Sequence, residues 1–243
     1  MNTGEPSKIE GLRLWVQGMH KRRTAISREV QVRIPDLRLA HGSLAVVLGV
    51  NGSGKSTLFD MLSLMLSPDR VDRFDLLDGD RPLNLRSVSR QEGTAIRRRC
   101  FAYVLQNGGL LDFLTVGENI RFAARLSGKS AHQVQEVARR LEIEGILAMH
   151  PARVSGGQRR RAALARALVQ EPQILLADEP TADLDPESTR IVLDSFRDLT
   201  LKGSSVLMVT HDETLARVHA DARYRFVTKP AADGGLVSTL EPD

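Results

Sequence analysis

Leu44-Ala45-Val46-Val47-Leu48-Gly49-Val50-Asn51-Gly52-Ser53-Gly54-Lys55-Ser56-Thr57 joins an unbroken apolar run to the pattern G-x-x-x-x-G-K-[ST]. The apolar run reads as a strand buried on both faces. Leu58, Met61, Leu62 and Met65 then recur at helical spacing until Pro68 ends the pattern, so a helix follows the loop. Strand, glycine loop and helix in that order make a cradle for phosphate. The glycines let backbone N–H groups turn inward around phosphate oxygens, and Lys55 supplies a point charge. Gly49, Asn51, Gly52, Ser53, Gly54, Lys55, Ser56 and Thr57 are the expected contacts of a nucleoside triphosphate, with the Ser56 hydroxyl a ligand for Mg²⁺.

Length and composition bound the rest. At 243 residues and 42% hydrophobic, the chain can bury one large core, or one core with a small appended subdomain. Its single cysteine, Cys100, rules out an internal disulfide framework and cysteine-metal chemistry, and makes a reducing compartment the default expectation. Met1 to Glu10 carries charges and a proline but no apolar leader, and no window approaches a membrane span, so a soluble, unexported chain is expected. Thirty-four basic against thirty acidic residues leave a net charge of only +4, which favours a solvated basic surface over a dedicated anionic partner.

Strand-like runs recur at Leu44 to Leu48, Phe101 to Leu105, Ile174 to Ala177 and Val206 to Val209, implying parallel strands. Between the second and third lies a long helical period, Val116 to Leu126 and Ala131 to Leu147, which reads as a helical insert. Asp69 to Arg99 is polar and arginine-rich, and its one clear signal is a turn at Asp78-Gly79-Asp80. Pro230 to Asp243 reads as a turn and a short strand. The arginine runs 97–99 and 159–161 lack interleaved aromatics in a chain only 4% aromatic, so solvated faces or intersubunit salt bridges are expected and nucleic acid is not.

Two further segments carry chemistry. Ile174 to Ala177 delivers Asp178 and Glu179 off a buried strand, and adjacent carboxylates there are costly unless something pairs with them. Beside a phosphate loop the partner is Mg²⁺ and a water: Asp178 holds the metal, and Glu179 orients or deprotonates the attacking water. A solvated turn capping the next helix is the plainer alternative. In Val154-Ser155-Gly156-Gly157-Gln158, capping alone explains Ser155 and Gln158. It does not explain two consecutive glycines, which weaken a helix yet let an anion approach its N-terminus. Ser155, Gly156, Gly157 and Gln158 are therefore a second expected phosphate-binding element.

With these motifs in hand, the chain resembles the nucleotide-binding subunit of ATP-binding cassette (ABC) transporters over nearly its whole length. The phosphate loop, a glutamine loop at Gln106, the signature at Val154 to Gln158, the acidic strand end Asp178-Glu179, the loop Ala182-Asp183-Leu184-Asp185 and a switch histidine, His211, stand in that family's order. The resemblance implies an α/β phosphate-loop ATPase fold with a mainly parallel sheet, N-terminal antiparallel strands and a helical insert. It implies one domain, 1–243, with a core of 1–105 and 165–243 and a helical subdomain of about 106–164. Two copies, or two paired cassettes, would close head to tail around two ATP molecules, each between Lys55 of one and Ser155 with Gly157 of the other. Gln106 would join Ser56 and Asp178 at Mg²⁺ and sense a membrane partner, Asp185 would signal across the dimer, and His211 would contact the γ-phosphate.

The signature usually opens with leucine, and Val154 departs from it mildly. No tyrosine stands where the family stacks an aromatic on adenine; His20 and Trp15 are the nearest aromatic side chains, and strand packing equally explains Trp15. Leu105 to Ile120 is similar to the branch of lipoprotein-release, macrolide-efflux and cell-division ATPases. That implies export or extraction of lipoprotein, peptide or hydrophobic cargo, while the transport reading of a sequence without a membrane span calls for separate transmembrane permease subunits and a cytoplasmic location on the inner face of the membrane. Leu110, Leu111, Phe113 and Leu114 would then form part of the permease docking surface; burial under the helical insert, with at least one of the leucines packed there, is the alternative. The alternative, a soluble ABC-type ATPase acting on nucleic acid or ribosomes, usually brings a coiled-coil excursion or a second fused cassette.

Overall fold

The computed structural model describes residues 11–25, 28–231 and 234–243. Two long strands, β1 (Leu12–Ala25) and β2 (Arg28–Ala40), pair antiparallel, and β3 (Leu44–Leu48) leads through the glycine loop into α1 (Lys55–Leu62). A hairpin of β4 (Arg73–Asp78) and β5 (Arg81–Asn84) is followed by α2 (Arg90–Cys100) and β6 (Phe101–Val104). Next come α3 (Val116–Leu126), α4 (Ala131–Arg140), α5 (Gly156–Leu168), β7 (Ile174–Asp178), α6 (Pro186–Leu201), β8 (Ser205–Thr210) and α7 (Glu213–His219). The strands β9 (Ala222–Pro230) and β10 (Leu236–Pro242) complete one sheet in the order β5-β4-β1-β2-β10-β9-β3-β8-β7-β6. β9, β3, β8, β7 and β6 run parallel, while β1 is antiparallel to both β2 and β4, so the expected α/β architecture is the one formed.

The period of two along β3 explains its unbroken apolar run. Leu44, Val46 and Leu48 pack into a core shared with α3, α5 and α6. Ala45 and Val47 face the opposite way, onto Leu58, Phe59, Met61 and Leu62 of α1 and the inner residues of β1 and β2. A strand with helices on one face and further structure on the other has no polar side to show.

Two expectations change. The helical period to Leu147 stops as a helix at Arg140, because Glu142 turns left-handed (φ 54°) and a short 3-10 turn follows at Glu144–Ile146. Leu141, Ile143 and Ile146 still reach the core, which a turn accomplishes as well as a longer helix. The segment 69–99, in which only the turn was legible, holds β4, β5 and α2. α2 opens with a full capping box, Ser89 with Glu92, and closes on Arg97, Arg98 and Arg99, cations that suit the negative end of its dipole.

Candidate active site

β3, β8, β7 and β6 end at one edge of the sheet, in register as Leu48↔Thr210, Asp178↔Val209 and Val104↔Ala177. Gly49, His211, Glu179 and Gln106 therefore leave the sheet along a common rim, where parallel α/β sheets hold their ligands. Gly54 adopts φ 101°, and a Cβ there would lie 2.6 Å from Val32 Cγ2, so only glycine fits between loop and β2. Lys55 is buried and donates from Nζ to the carbonyls of Gly49 (2.7 Å) and Val50 (3.1 Å), which curls the ammonium under the loop. α1 starts with no side-chain cap and no acidic residue in its first turn. Its free N–H groups and positive dipole end are thus left to an anion.

A cavity of about 360 Å³ lies over this loop and brings Lys55, Ser56, Thr57, Gln106, Asp178 and Glu179 together, with Asn51, Gly52 and Gly54 on its floor. Arg23, Val30 and Val32 close its far side. Sequence reasoning missed these three because no motif marks them; only the alternation of Val30, Val32 and Ile34 along β2 hints at a shared face. Trp15 and His20 are not among the lining residues. The Trp15 indole N–H donates to Asp36 Oδ1 (2.9 Å), and the guanidinium carbons of Arg38 and Arg73 lie 4.8 and 3.9 Å from its ring centroid. A larger groove of about 1110 Å³ between the α1–β4 connection and α2 includes none of the assigned site residues.

Asp178 and Glu179 are both buried. Burial first, and the Glu179 charge second, push the Asp178 carboxyl above the usual range, against the pull of Lys55. An aspartate so placed is short of positive charge. With the Ser56 hydroxyl and the Gln106 amide on the same cavity, it makes the sparse oxygen set that suits Mg²⁺ completed by phosphate oxygens and water. The raised pKa also has a sign for stability. In the window between its unfolded and folded values the folded chain holds the extra proton, so stability falls as pH rises through that window. Asp178→Asn should flatten this fall and, by removing a buried charge, raise Tm at neutral pH. Melting curves in the acid and neutral ranges check it; an Asn variant that melts below wild type at neutral pH contradicts it.

Glu179 follows in a left-handed conformation (φ 46°), its N–H donating to Val209 O (3.0 Å). Its carboxylate accepts from His211 Nδ1, which lies 3.1 Å from both oxygens. The His211 side chain is itself 72% exposed at the rim.

The signature segment stands apart. Ser155 caps α5: its hydroxyl accepts from the Gln158 N–H (3.2 Å) and Gln158 Oε1 accepts from the Ser155 N–H (3.0 Å). Ser155 and Gly156 are exposed, and a Cβ on Gly156 would meet nothing within 4 Å. Among the described residues nothing requires that glycine. No residue from 154 to 158 lines the phosphate-loop cavity. Asp185 caps α6 by accepting from the Ser188 N–H (2.9 Å), which holds its carboxyl below the usual range.

The arginines of α5 are not a solvated face. Arg159 donates to Pro151 O (2.7 Å), Arg160 to Glu179 O (3.2 Å), and Arg161 pairs with Glu142 (3.6 Å). Consecutive helix positions point in different directions, so the run anchors α5 to three neighbours. Arg97, Arg98 and Arg99 likewise bond Leu64 O, Leu126 O and Asp78 within the chain.

Residues 32–182, spanning the glycine loop, the signature and the acidic strand end, match the family described as ABC transporter. The chain belongs to the ABC transporter family. It is 38% identical over 183 residues to the ABC transporter ATP-binding protein YxdL of Bacillus subtilis (strain 168), covering 73% of this chain and 69% of that protein. It is 34% identical over 213 residues to the macrolide export ATP-binding/permease protein MacB of Pasteurella multocida (strain Pm70), covering 84% of this chain and 31% of MacB. Among solved structures, the dimeric post-hydrolysis state of the ATP-binding cassette MJ0796 bound to ADP and Pi aligns with TM-score 0.78 at 25% identity, covering 87% of this chain and 93% of that one. The chain is thus an ABC ATPase, the ATP-hydrolysing part of a transporter. Among its described residues no helix is long and apolar enough to cross a membrane.

Proposed function

We propose that this ABC ATPase closes head to tail with a second cassette around two ATP molecules, and that the closure drives separate transmembrane permease subunits at the cytoplasmic face of the membrane. One observation carries the reading: the two anion-ready elements, the glycine loop and the α5 N-terminus, do not share a cavity within one chain. Each is half of a site, and a second copy supplies the other half. The dimeric form in which MJ0796 was solved supports it.

Within each composite site, Lys55 and the loop N–H groups bind the β- and γ-phosphates, while Ser155 and Gly157 of the second copy engage the γ-phosphate from the far side. Ser56, Gln106 and Asp178 would hold Mg²⁺, which when bound neutralises phosphate charge as a Lewis acid. Glu179 orients and deprotonates the attacking water. His211, at the same rim and 3.1 Å from the Glu179 carboxylate, contacts the γ-phosphate. Asp185, capping α6 beside Gly157, carries the state of one site towards the other. The lever is a helical subdomain of about 106–164 on a core of 1–105 and 165–243.

The cargo we infer is exported or extracted: a lipoprotein, a peptide or another hydrophobic molecule. The names of the MacB relatives support export, although MetN of Aliivibrio fischeri, 36% identical over 182 residues, is named for methionine import. For the permease contact, Phe113 is the residue to test. It is 76% exposed, whereas Leu110 packs on the core and Leu111 and Leu114 are half-buried. Asn119, fully buried, accepts from the Leu111 N–H and donates to Leu111 O and Leu114 O, so the loop is pinned around the exposed ring. Phe113→Asp should therefore weaken recovery of the copurifying membrane protein while melting temperature and ATP affinity stay near wild type. Undiminished recovery with a well-folded mutant removes Phe113 from the interface, and copurification itself tests whether the permease is a separate chain.

A further inference from the structure

The middle arginine of the run 159–161 reaches the acidic turn. Arg160 Nη1 donates to the backbone carbonyl of Glu179 (3.2 Å) and Nη2 to Asp183 Oδ2 (3.3 Å). The two ends of that turn are left-handed, with φ 46° at Glu179 and 55° at Asp183. Side chains other than glycine keep such backbone only where their surroundings over-determine it. At Glu179 the surroundings are explicit: the N–H is fixed on Val209 O, the carbonyl accepts from both Arg160 and the Ala182 N–H (3.3 Å), and the carboxylate is fixed on His211. A guanidinium offers its donors as a rigid fork, so it sets direction as well as distance. Of its two arms, the one to Asp183 ends on a side chain 93% exposed and is screened by water. The part-buried arm to Glu179 dominates.

We infer that Arg160 is a positioning residue for Glu179, tying the acidic turn to the helix whose first turn carries Ser155 and Gly157. The inference rests on Glu179 acting on the attacking water. Within one chain, α5 presents its N-terminus to the nucleotide held by the other cassette, while Glu179 serves the chain's own nucleotide. Arg160 joins the two through a single side chain.

Arg160→Met keeps the apolar stem and removes every donor, and Arg160→Lys restores a cation without the fork. The Met variant should lose kcat about 10- to 100-fold, the scale of an ångström-sized misplacement, with KM and melting temperature near wild type. Lysine should recover part of that loss. In a Glu179→Gln background, Arg160→Met should leave the residual single-turnover rate nearly unchanged, because a residue that acts through Glu179 has nothing left to position. A wild-type kcat in Arg160→Met overturns the inference. So does a loss that lysine leaves untouched while melting temperature falls, or a full further loss in the Gln background. Glu179→Gln measured alone separates the two readings. A wild-type rate there removes the role of Glu179 and the inference with it, whereas an inactive Gln variant beside a normal Arg160→Met removes only Arg160.

Discussion

Glu179→Gln is expected to bind Mg²⁺-ATP as wild type does and to lose steady-state hydrolysis by about 10²- to 10⁴-fold, the contribution of a positioned general base. The substitution preserves volume in a buried position, and the amide oxygen can still accept from His211 Nδ1, so the left-handed turn and its contacts with Val209 and Arg160 persist. What disappears is the capacity to take a proton from water. With binding intact and turnover stopped, ATP should hold two chains together, which light scattering reads as a doubling of mass on ATP addition. Undiminished hydrolysis by the Gln variant rules out the assigned role. Loss of Mg²⁺-ATP affinity with hydrolysis intact per bound nucleotide does so too, since it moves Glu179 from chemistry to binding.

Ser155→Arg should abolish hydrolysis and ATP-induced pairing while the separate chain keeps its ATP affinity. The energetic cost to the fold is confined to one helix cap, about 1 kcal/mol. The position is exposed, and α5 is held elsewhere by Arg159, Arg160 and Arg161, so the helix stays in place. The arginine instead fills the surface over Gly156, where the chain itself leaves open space. Nucleotide titration and light scattering on the same preparation separate the two halves of the claim. Normal turnover by this variant would mean that the α5 N-terminus faces no nucleotide.

The half of the fold that builds the site was legible because buried parallel strands speak plainly in sequence. Leu44 to Leu48, Ile174 to Ala177 and Val206 to Val209 are apolar on both faces, and each hands a polar motif to the same rim. The half that closes the site was not. β4 and β5 show one half-buried face, and their short alternation disappears among arginines. The capping box that opens α2, Ser89 with Glu92, went unread in the same polar stretch. Arg23, Val30 and Val32 reach the cavity because the paired strands β1 and β2 lie beside the glycine loop, a long-range arrangement with no local signature. The arginine run 159–161 misled for the opposite reason. Its composition reads as solvated surface, yet each guanidinium finds a partner that only tertiary structure supplies, among them the carbonyl of Glu179.

The shared site itself is tested most directly by mixing two inactive chains. Lys55→Ala removes the charge at the glycine loop, and Ser155→Arg blocks the signature end, so neither homodimer has an intact site. A heterodimer of the two has one composite site in which both halves are native, Lys55 from one chain and Ser155 from the other. Purified heterodimers in a single-turnover experiment are expected to hydrolyse ATP at that one site, well above either homodimer. Hydrolysis by the heterodimer no greater than that of the homodimers would contradict the account that each ATP is held between two chains.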